Sequence, residues 1–489
     1  MTTTFVRPRA VIAAAVTLSA LFAGACGSGG TPAESPRLET SGPEVLSDAD
    51  GTGIDVSERL FERSEAVVVA SPSRDAQLHG AAVAAELGAP LLVRAGGAEA
   101  AVDAEIQRLG AKRVIDVPGD DEALAQTARV ASDSAANDVA AIAALEPANP
   151  VELQLPEMLA TEETSLGAAA TARAAGARLD VLAVPDPRLT SESMRTVTGQ
   201  DTLALGSQWG TTEEYAHRVD LAAAGELPGG GGLVFPGRRM IALYGHSFAP
   251  ELGVMGEQDP VAAAALATQY AQQYQPMEEQ PVIPAFEIIV TVASEFPGED
   301  GDYSNEAPME TVVPWIDAIT EAGGYAVLDL QPGQGDFLHQ AKLYEELLKR
   351  PNVGLALDSE WKLNPGEAPL SRVGSASAEE INVVADWLAQ LTRENNLPQK
   401  AFVLHQFQLA MFPDRENIQT AHPELAYVLH ADGHGSPGQK YDTWNVLREG
   451  LDPNFFMAWK NFIDEDQPTF TPEQTYMEVE PRPWFVSYQ

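Results

Sequence analysis

From Arg238 to Gln489 the chain alternates eight short apolar runs with helical patterns, and this alternation restricts the fold more than any other feature. The runs are "RRMIALYGH" (238–246), "VIPAFEIIV" (282–290), "GYAVLDLQ" (324–331), "VGLALDSEW" (353–361), "KAFVLHQF" (400–407), "ELAYVLHADG" (424–433), "NFFMAWKNF" (454–462) and "PWFVSYQ" (483–489). Amphipathic stretches such as "DPVAAAALATQYAQQY" (259–274) and "SAEEINVVADWLAQLTREN" (377–395) separate most of them. Several open on Asp or Ser and close near Gly or Pro, as capped helices do. Eight strand-first units over about 250 residues predict a (β/α)8 TIM-like barrel over 238–489. An open doubly wound sheet is the alternative, and the unbroken repetition favours closure. No outer helix follows the eighth run, so the first half or a linker is expected to cover that gap.

The first half has a different rhythm. "AVVVA" (66–70), "PLLVR" (90–94) and "RVIDVPG" (113–119) are strand-like, and helical patterns at 74–88 and 100–110 lie between them. The alternation returns with a helix at 164–177, strands at 179–185 and 201–207, and a helix at 211–224. This predicts a doubly wound parallel α/β domain over 59–225. "GELPGGGG" then marks a Gly-rich linker, 226–237. Residues 26–58 are rich in Gly, Ser, Pro, Asp and Glu without apolar periodicity and are expected to form a disordered tether.

The N-terminus reads as a secretion signal. Arg7 and Arg9 precede "AVIAAAVTLSALFAGA", too short and small for an ordinary membrane span, and "AGAC" follows. Residues 1–25 resemble a bacterial lipoprotein signal peptide, although Ala23 stands where Leu is usual. The resemblance makes Cys26, the only cysteine, the lipidated first residue of the mature chain. The expected location is the extracytoplasmic face of the cell membrane. The chain carries 30 basic and 71 acidic residues, a net charge of −41. That balance excludes nucleic acid as a partner, since neutralising phosphates requires Lys and Arg.

Two stretches resemble a known family. "AVVVASPSRDAQLHGAAVAAELGAPLLV" with "EIQRLGAKRVIDVPGD" is similar to the cell wall-binding repeat type 2 of Gram-positive surface proteins. "FPGRRMIALYGH", "VLDLQPG", "HQFQLAMFPDRE" and "WKNFIDED" resemble a C-terminal domain that follows such repeats in actinobacterial lipoproteins, a domain of no established activity. The resemblance implies a cell-envelope protein whose partner is wall or envelope polysaccharide.

Most of the apolar runs of the second half end in polar residues. They bring His246, Glu287, Asp329, Gln331, Asp358, Glu360, His405, His430, Asp432 and Lys460 to one end of the barrel, where such barrels carry their chemistry. Side chains alternate along a strand. If Asp358 faces inward, so do Gly354 and Ala356; Asp329 then shares a face with Val327 and Gln331, and His430 with Val428 and Asp432. Three functions compete. A glycoside hydrolase needs two carboxylates; Glu360 is the expected general acid, Asp329 or Asp358 its partner, and His405, His430 and Asp432 complete the catalytic set. His246, Glu287, Gln331 and Lys460 would bind substrate, with Tyr244, Trp361 and Trp459 as stacking faces. A metal-dependent hydrolase would use His246, His405, His430 and Asp432, but no HxH or HExxH pair is present, so no metal ligand is assigned and no cofactor expected. The third reading is a non-catalytic polysaccharide-binding module. In "WKNFIDED", Asp464, Glu465 and Asp466 are expected to be a solvated acidic loop rather than a calcium site.

Overall fold

The computed structural model describes residues 36–119, 135–298, 300–368 and 370–489. Cys26 and the signal segment lie outside them. No helix among the described residues is long and apolar enough to cross a membrane.

The first half is an α/β unit with two parallel sheets. One has the order β3-β2-β4, from β2 (Ala66–Ala70), β3 (Leu91–Val93) and β4 (Arg113–Val117). The other has the order β1-β7-β5-β6, from β1 (Glu44–Leu46), β5 (Met158–Thr161), β6 (Leu179–Leu182) and β7 (Leu203–Leu205). Helix Leu166–Ala175, "LGAAATARAA", is buried almost all round. Its small side chains allow close approach on every face, and Thr171 Oγ1 both donates to and accepts from the Leu91 backbone. The tether expectation is corrected over 36–58. Val45 pairs with Ala204 in β7, and a helix spans Ile54–Leu60. A three-residue strand carries no readable period; its neighbour supplies the pairing.

The second half is a closed barrel of eight parallel strands. They are β8 (Arg239–His246), β9 (Val282–Ala293), β11 (Tyr325–Leu330), β12 (Val353–Asp358), β13 (Lys400–Gln406), β14 (Leu425–Ala431), β15 (Phe456–Asn461) and β16 (Phe485–Tyr488), with β16 pairing back to β8. The short β10 (Ser304–Glu306) adds antiparallel to the overhanging end of β9. Helices form the outer layer, several with reciprocal caps such as Ser377 with Glu380 and Thr471 with Gln474.

Inside the barrel, Met240, Ala242, Ile283, Ala285, Tyr325, Val327, Ala356, Ala401, Val403, Ala426, Val428, Ala458 and Phe485 form one core. Leu328, Leu355, Leu357, Leu404 and Leu429 belong to a second core against the helices. The expected parity therefore holds. Gly354 makes room for the Tyr325 ring: a Cβ there would lie 2.6 Å from Ala401 O and 3.1 Å from Tyr325 Oη.

Two expectations about closure are corrected. The gap beside β16 is not covered by the first half or the linker. Helices Pro260–Tyr274 and Pro472–Glu478 lean together over it, and Tyr488 bonds Tyr274 hydroxyl to hydroxyl at 2.7 Å while packing on Tyr270. The 226–237 segment instead plugs the N-terminal end of the barrel. Leu227, Val234 and Phe235 join the interior core, and Arg238 donates to the carbonyls of Gly230 and Leu233, each at 2.8 Å. Burying an apolar Leu-Val-Phe triplet is worth more than leaving it on a hinge, at about 1.5–3 kcal/mol per large side chain.

Candidate functional site

Every barrel strand sends a buried polar side chain inward, seven of them near the C-terminal end and Glu287 from the middle of the long β9: Tyr244, Glu287, Asp329, Asp358, His405, His430, Lys460 and Ser487. Their contacts reach across non-neighbouring strands, which is possible only through the interior. Tyr244 on β8 donates its hydroxyl to Asp329 Oδ2 on β11 at 2.8 Å. His405 on β13 meets Glu287 Oε1 on β9 through Nε2 at 2.9 Å, and Asp432 Oδ2 just after β14 through Nδ1 at 2.8 Å. His430 Nδ1 lies 3.5 Å from Glu287 Oε1, and its Nε2 is 3.0 Å from Ser487 Oγ on β16. Lys460 Nζ is 3.0 Å from Asp432 Oδ1 and 3.6 Å from the Tyr244 ring centre.

Above this network lies a cavity of about 370 Å³, lined among others by Tyr244, Gln331, Asp358, Glu360, Trp361 and Asp432. It opens at the C-terminal ends of the strands. Asp358 ends β12, and one of its oxygens accepts the Glu360 backbone N–H at 3.1 Å, starting the turn Ser359–Trp361. One carboxylate of "DSEW" therefore caps the turn that presents the other. Carboxylate oxygens of Asp358 and Asp432 and a His405 nitrogen lie within 4.8 Å of one another.

Burial and neighbouring charge divide the carboxyl groups. Burial raises Asp329 to about 6, with Glu287 adding to it against the pull of His405. Burial and then the Asp329 charge push Asp358 well above the usual range, and burial with Asp432 raises Glu360. Burial also works against charge on Glu287 and Asp432, but cations outweigh it. The histidines hold Glu287 well below the usual range, as Lys460 and His405 do Asp432. His405 is driven well above its ordinary value: burial opposes its charge, and Glu287, Asp329 and Asp432 overcome it. His430 is lowered by burial.

The remaining expected residues separate. Trp459 is corrected: it faces the outer layer, stacked on Phe470 at 5.6 Å and edge-on to Trp444, and presents no face to the cavity. Strand alternation makes this necessary once Lys460 points inward. Tyr244 lines the cavity, but Lys460 covers its ring. His246 sits at the rim, packed on Phe248 and accepting the Phe248 N–H, away from the other histidines. Trp361, Gln331 and Lys460 line the cavity as expected. Phe407, His434, Thr443 and Phe462 line it too: Phe407 and Phe462 directly follow β13 and β15, His434 lies in the loop after β14, and Thr443 is on helix Pro437–Arg448. Asp466 is not a solvated loop residue. It is buried, 2.7 Å from Lys440 Nζ, and accepts the Gly435 and Phe462 N–H groups.

No protein-family model, no curated protein and no solved structure matches the chain.

Proposed function

We propose that the barrel is a glycan-directed glycoside hydrolase, with Glu360 as proton donor and Asp432 as the ionised partner, carried by a lipid-anchored protein of the cell envelope. One observation carries the reading. A small-molecule-sized cavity at the C-terminal mouth of the barrel is bounded by three carboxyl side chains, Asp358, Glu360 and Asp432, in unlike surroundings. Lys460 and His405 both grip Asp432, whereas Glu360 makes no ion pair among the described residues.

Glycoside hydrolysis needs this division of labour. The Glu360 carboxyl group gives its proton to the glycosidic oxygen as the bond from the anomeric carbon to that oxygen breaks. The Asp432 carboxylate faces the carbon that becomes positive and either bonds to it or directs a water at it. In either case a water supplies the new hydroxyl, and its proton returns to a carboxylate. Asp358 is a positioning residue, because its oxygen holds the Glu360 backbone. Trp361 and Phe407 offer apolar faces for a sugar ring. The wall-binding-repeat-like stretch at 66–119 and a lipid on Cys26 would hold the barrel near envelope polysaccharide.

The test incubates the full-length protein with wall and envelope glycan fractions, beside Glu360→Gln. Release of sugar by the wild type and its loss in the variant is the expected result. Equal release by both would remove Glu360 from the mechanism. Retention of glycan without release from any fraction would replace the hydrolase with a binding module. Labelled fatty acid appearing on the wild type and not on Cys26→Ser checks the anchor.

A further inference from the structure

Below the cavity floor, three donor atoms converge in a way that hydrogen bonding explains poorly. Glu287 Oε1 is 2.9 Å from His405 Nε2 and 3.5 Å from His430 Nδ1, and the two ring nitrogens are 3.4 Å apart. One proton can serve the shortest of these contacts. If both rings donate an N–H to Oε1, two N–H groups stand 3.4 Å apart with nothing between them, so no placement of protons serves all three. A cation solves the geometry. Donors bound at about 2.0–2.1 Å around one ion stand about 2.9–3.4 Å apart, close to the 2.9, 3.4 and 3.5 Å seen here.

The surroundings of the three residues favour the same conclusion. A ligating imidazole usually donates its other N–H to a carboxylate, carbonyl or similar acceptor, which fixes ring and tautomer. His405 directs Nδ1 at Asp432 Oδ2 (2.8 Å), and His430 directs Nε2 at Ser487 Oγ (3.0 Å). With the proton on each outer nitrogen, the tautomer a ligating imidazole takes, both inner nitrogens are free for an ion. Glu287, His405 and His430 are each 0% exposed, and Glu287 Oε2 has no hydrogen-bond partner among the described residues. A buried carboxylate oxygen without a partner is costly, and an ion held by both Glu287 oxygens would satisfy Oε2 as well as Oε1.

We propose that Glu287, His405 and His430 hold one divalent first-row metal ion, of the zinc class, in the floor of the barrel cavity. Two imidazoles and one carboxylate form a borderline-soft donor set suited to such an ion and poorly suited to calcium or magnesium. The three ligands come from β9, β13 and β14, so the ion would tie together opposite sides of the barrel. Through His405 it would also fix the side chain of Asp432 in the cavity wall. The inference goes beyond the proposed hydrolase activity and does not depend on it.

The experiment reads metal, not turnover. Full-length protein is stripped with chelator and titrated with Zn²⁺ and Co²⁺, followed by elemental analysis and thermal unfolding. The expected result is one bound equivalent, a rise in unfolding temperature on loading, and visible cobalt absorption that disappears in His430→Gln. Ser487→Ala leaves the ligands in place and removes only the group that orients His430, so it remains informative if the ligand variants fail to fold. It is expected to weaken affinity by about 10–100-fold in competition with a chromophoric chelator. Stripped protein that binds neither ion and gains no thermal stability overturns the site, leaving His405 as an imidazolium between two carboxylates. Unchanged affinity in Ser487→Ala overturns the assignment of His430 as a ligand.

Discussion

Both ends of the barrel bury ionisable side chains, but they use them differently. At the N-terminal end, Lys400 points Nζ at the carbonyls of Arg350 and Val353, each at 2.8 Å, and Arg238 reaches the carbonyls of the glycine-rich plug. Neither has a carboxylate partner among its hydrogen bonds. At the C-terminal end, Glu287, Asp432, His405 and Lys460 meet one another, and oxygens of Glu287 and Asp329 have no hydrogen-bond partner among the described residues. A basic side chain held by backbone carbonyls is a clamp, because its partners cannot change charge or move without unfolding. Side chains that satisfy one another, with atoms to spare, can exchange protons or accept a ligand. This matches the division of labour in such barrels, stability at one end and chemistry at the other.

The comparison would break first at Glu360. Glu360→Gln is expected to lower glycan release by about 10²–10⁴-fold, the usual contribution of a general acid. Its unfolding temperature should stay near that of the wild type, since the side chain is only partly buried and makes no ion pair. Asp432→Asn should lose activity similarly and also lose stability, because Lys460 would keep a buried charge without its anion. Full activity in either variant would place the chemistry elsewhere.

The tryptophans sharpen the contrast between the inside and outside of the barrel wall. Trp459→Ala empties a packed site between β15 and the outer helices and is expected to cost about 3–5 kcal/mol in chemical denaturation. Trp361→Ala removes a rim side chain. It should cost less than about 1 kcal/mol in stability and raise KM with little change in kcat. The reverse pattern would mean that the Trp361 turn is structural.

Much of this was readable before the structure. Alternation placed Asp358 with Gly354 and Ala356, Asp329 with Val327, and His430 with Val428, because a period of two needs no tertiary information. The same rule separates Trp459 from Lys460, although both were read as facing substrate. The apolar triplet Leu233-Val234-Phe235 was a visible sign that the glycine run leads into a buried plug. Three things lay beyond the sequence. β1 is defined by its neighbour β7. The strands β13 and β15 stop one residue short of Phe407 and Phe462, which turn with His434 into the cavity. The meeting of Glu287, His405 and His430 depends on strand stagger and barrel closure, which fix which of the polar groups at this end become neighbours in three dimensions.

The smallest effect tests the clamp end and concerns pH. Burial lowers Lys400 from the ordinary lysine value to about 7. Between about 7 and 10.5 the unfolded chain keeps this proton while the folded chain has released it. The unfolded state then binds more protons, so stability rises with pH across that window. The contribution is complete above the unfolded value and is lost as pH falls toward 7. A neutral amine still has two N–H groups, enough for the carbonyls of Arg350 and Val353. Lys400→Met removes both donors and should cost about 1–3 kcal/mol near neutral pH through the unsatisfied carbonyls. It should also flatten the rise in stability between pH 7 and 9.5 relative to the wild type, by about 3 kcal/mol. Denaturant titrations at several pH values measure both effects. If the two proteins have the same pH dependence, Lys400 keeps its proton when folded, and the carbonyls at the clamp end hold a full charge as the carboxylates do at the other end.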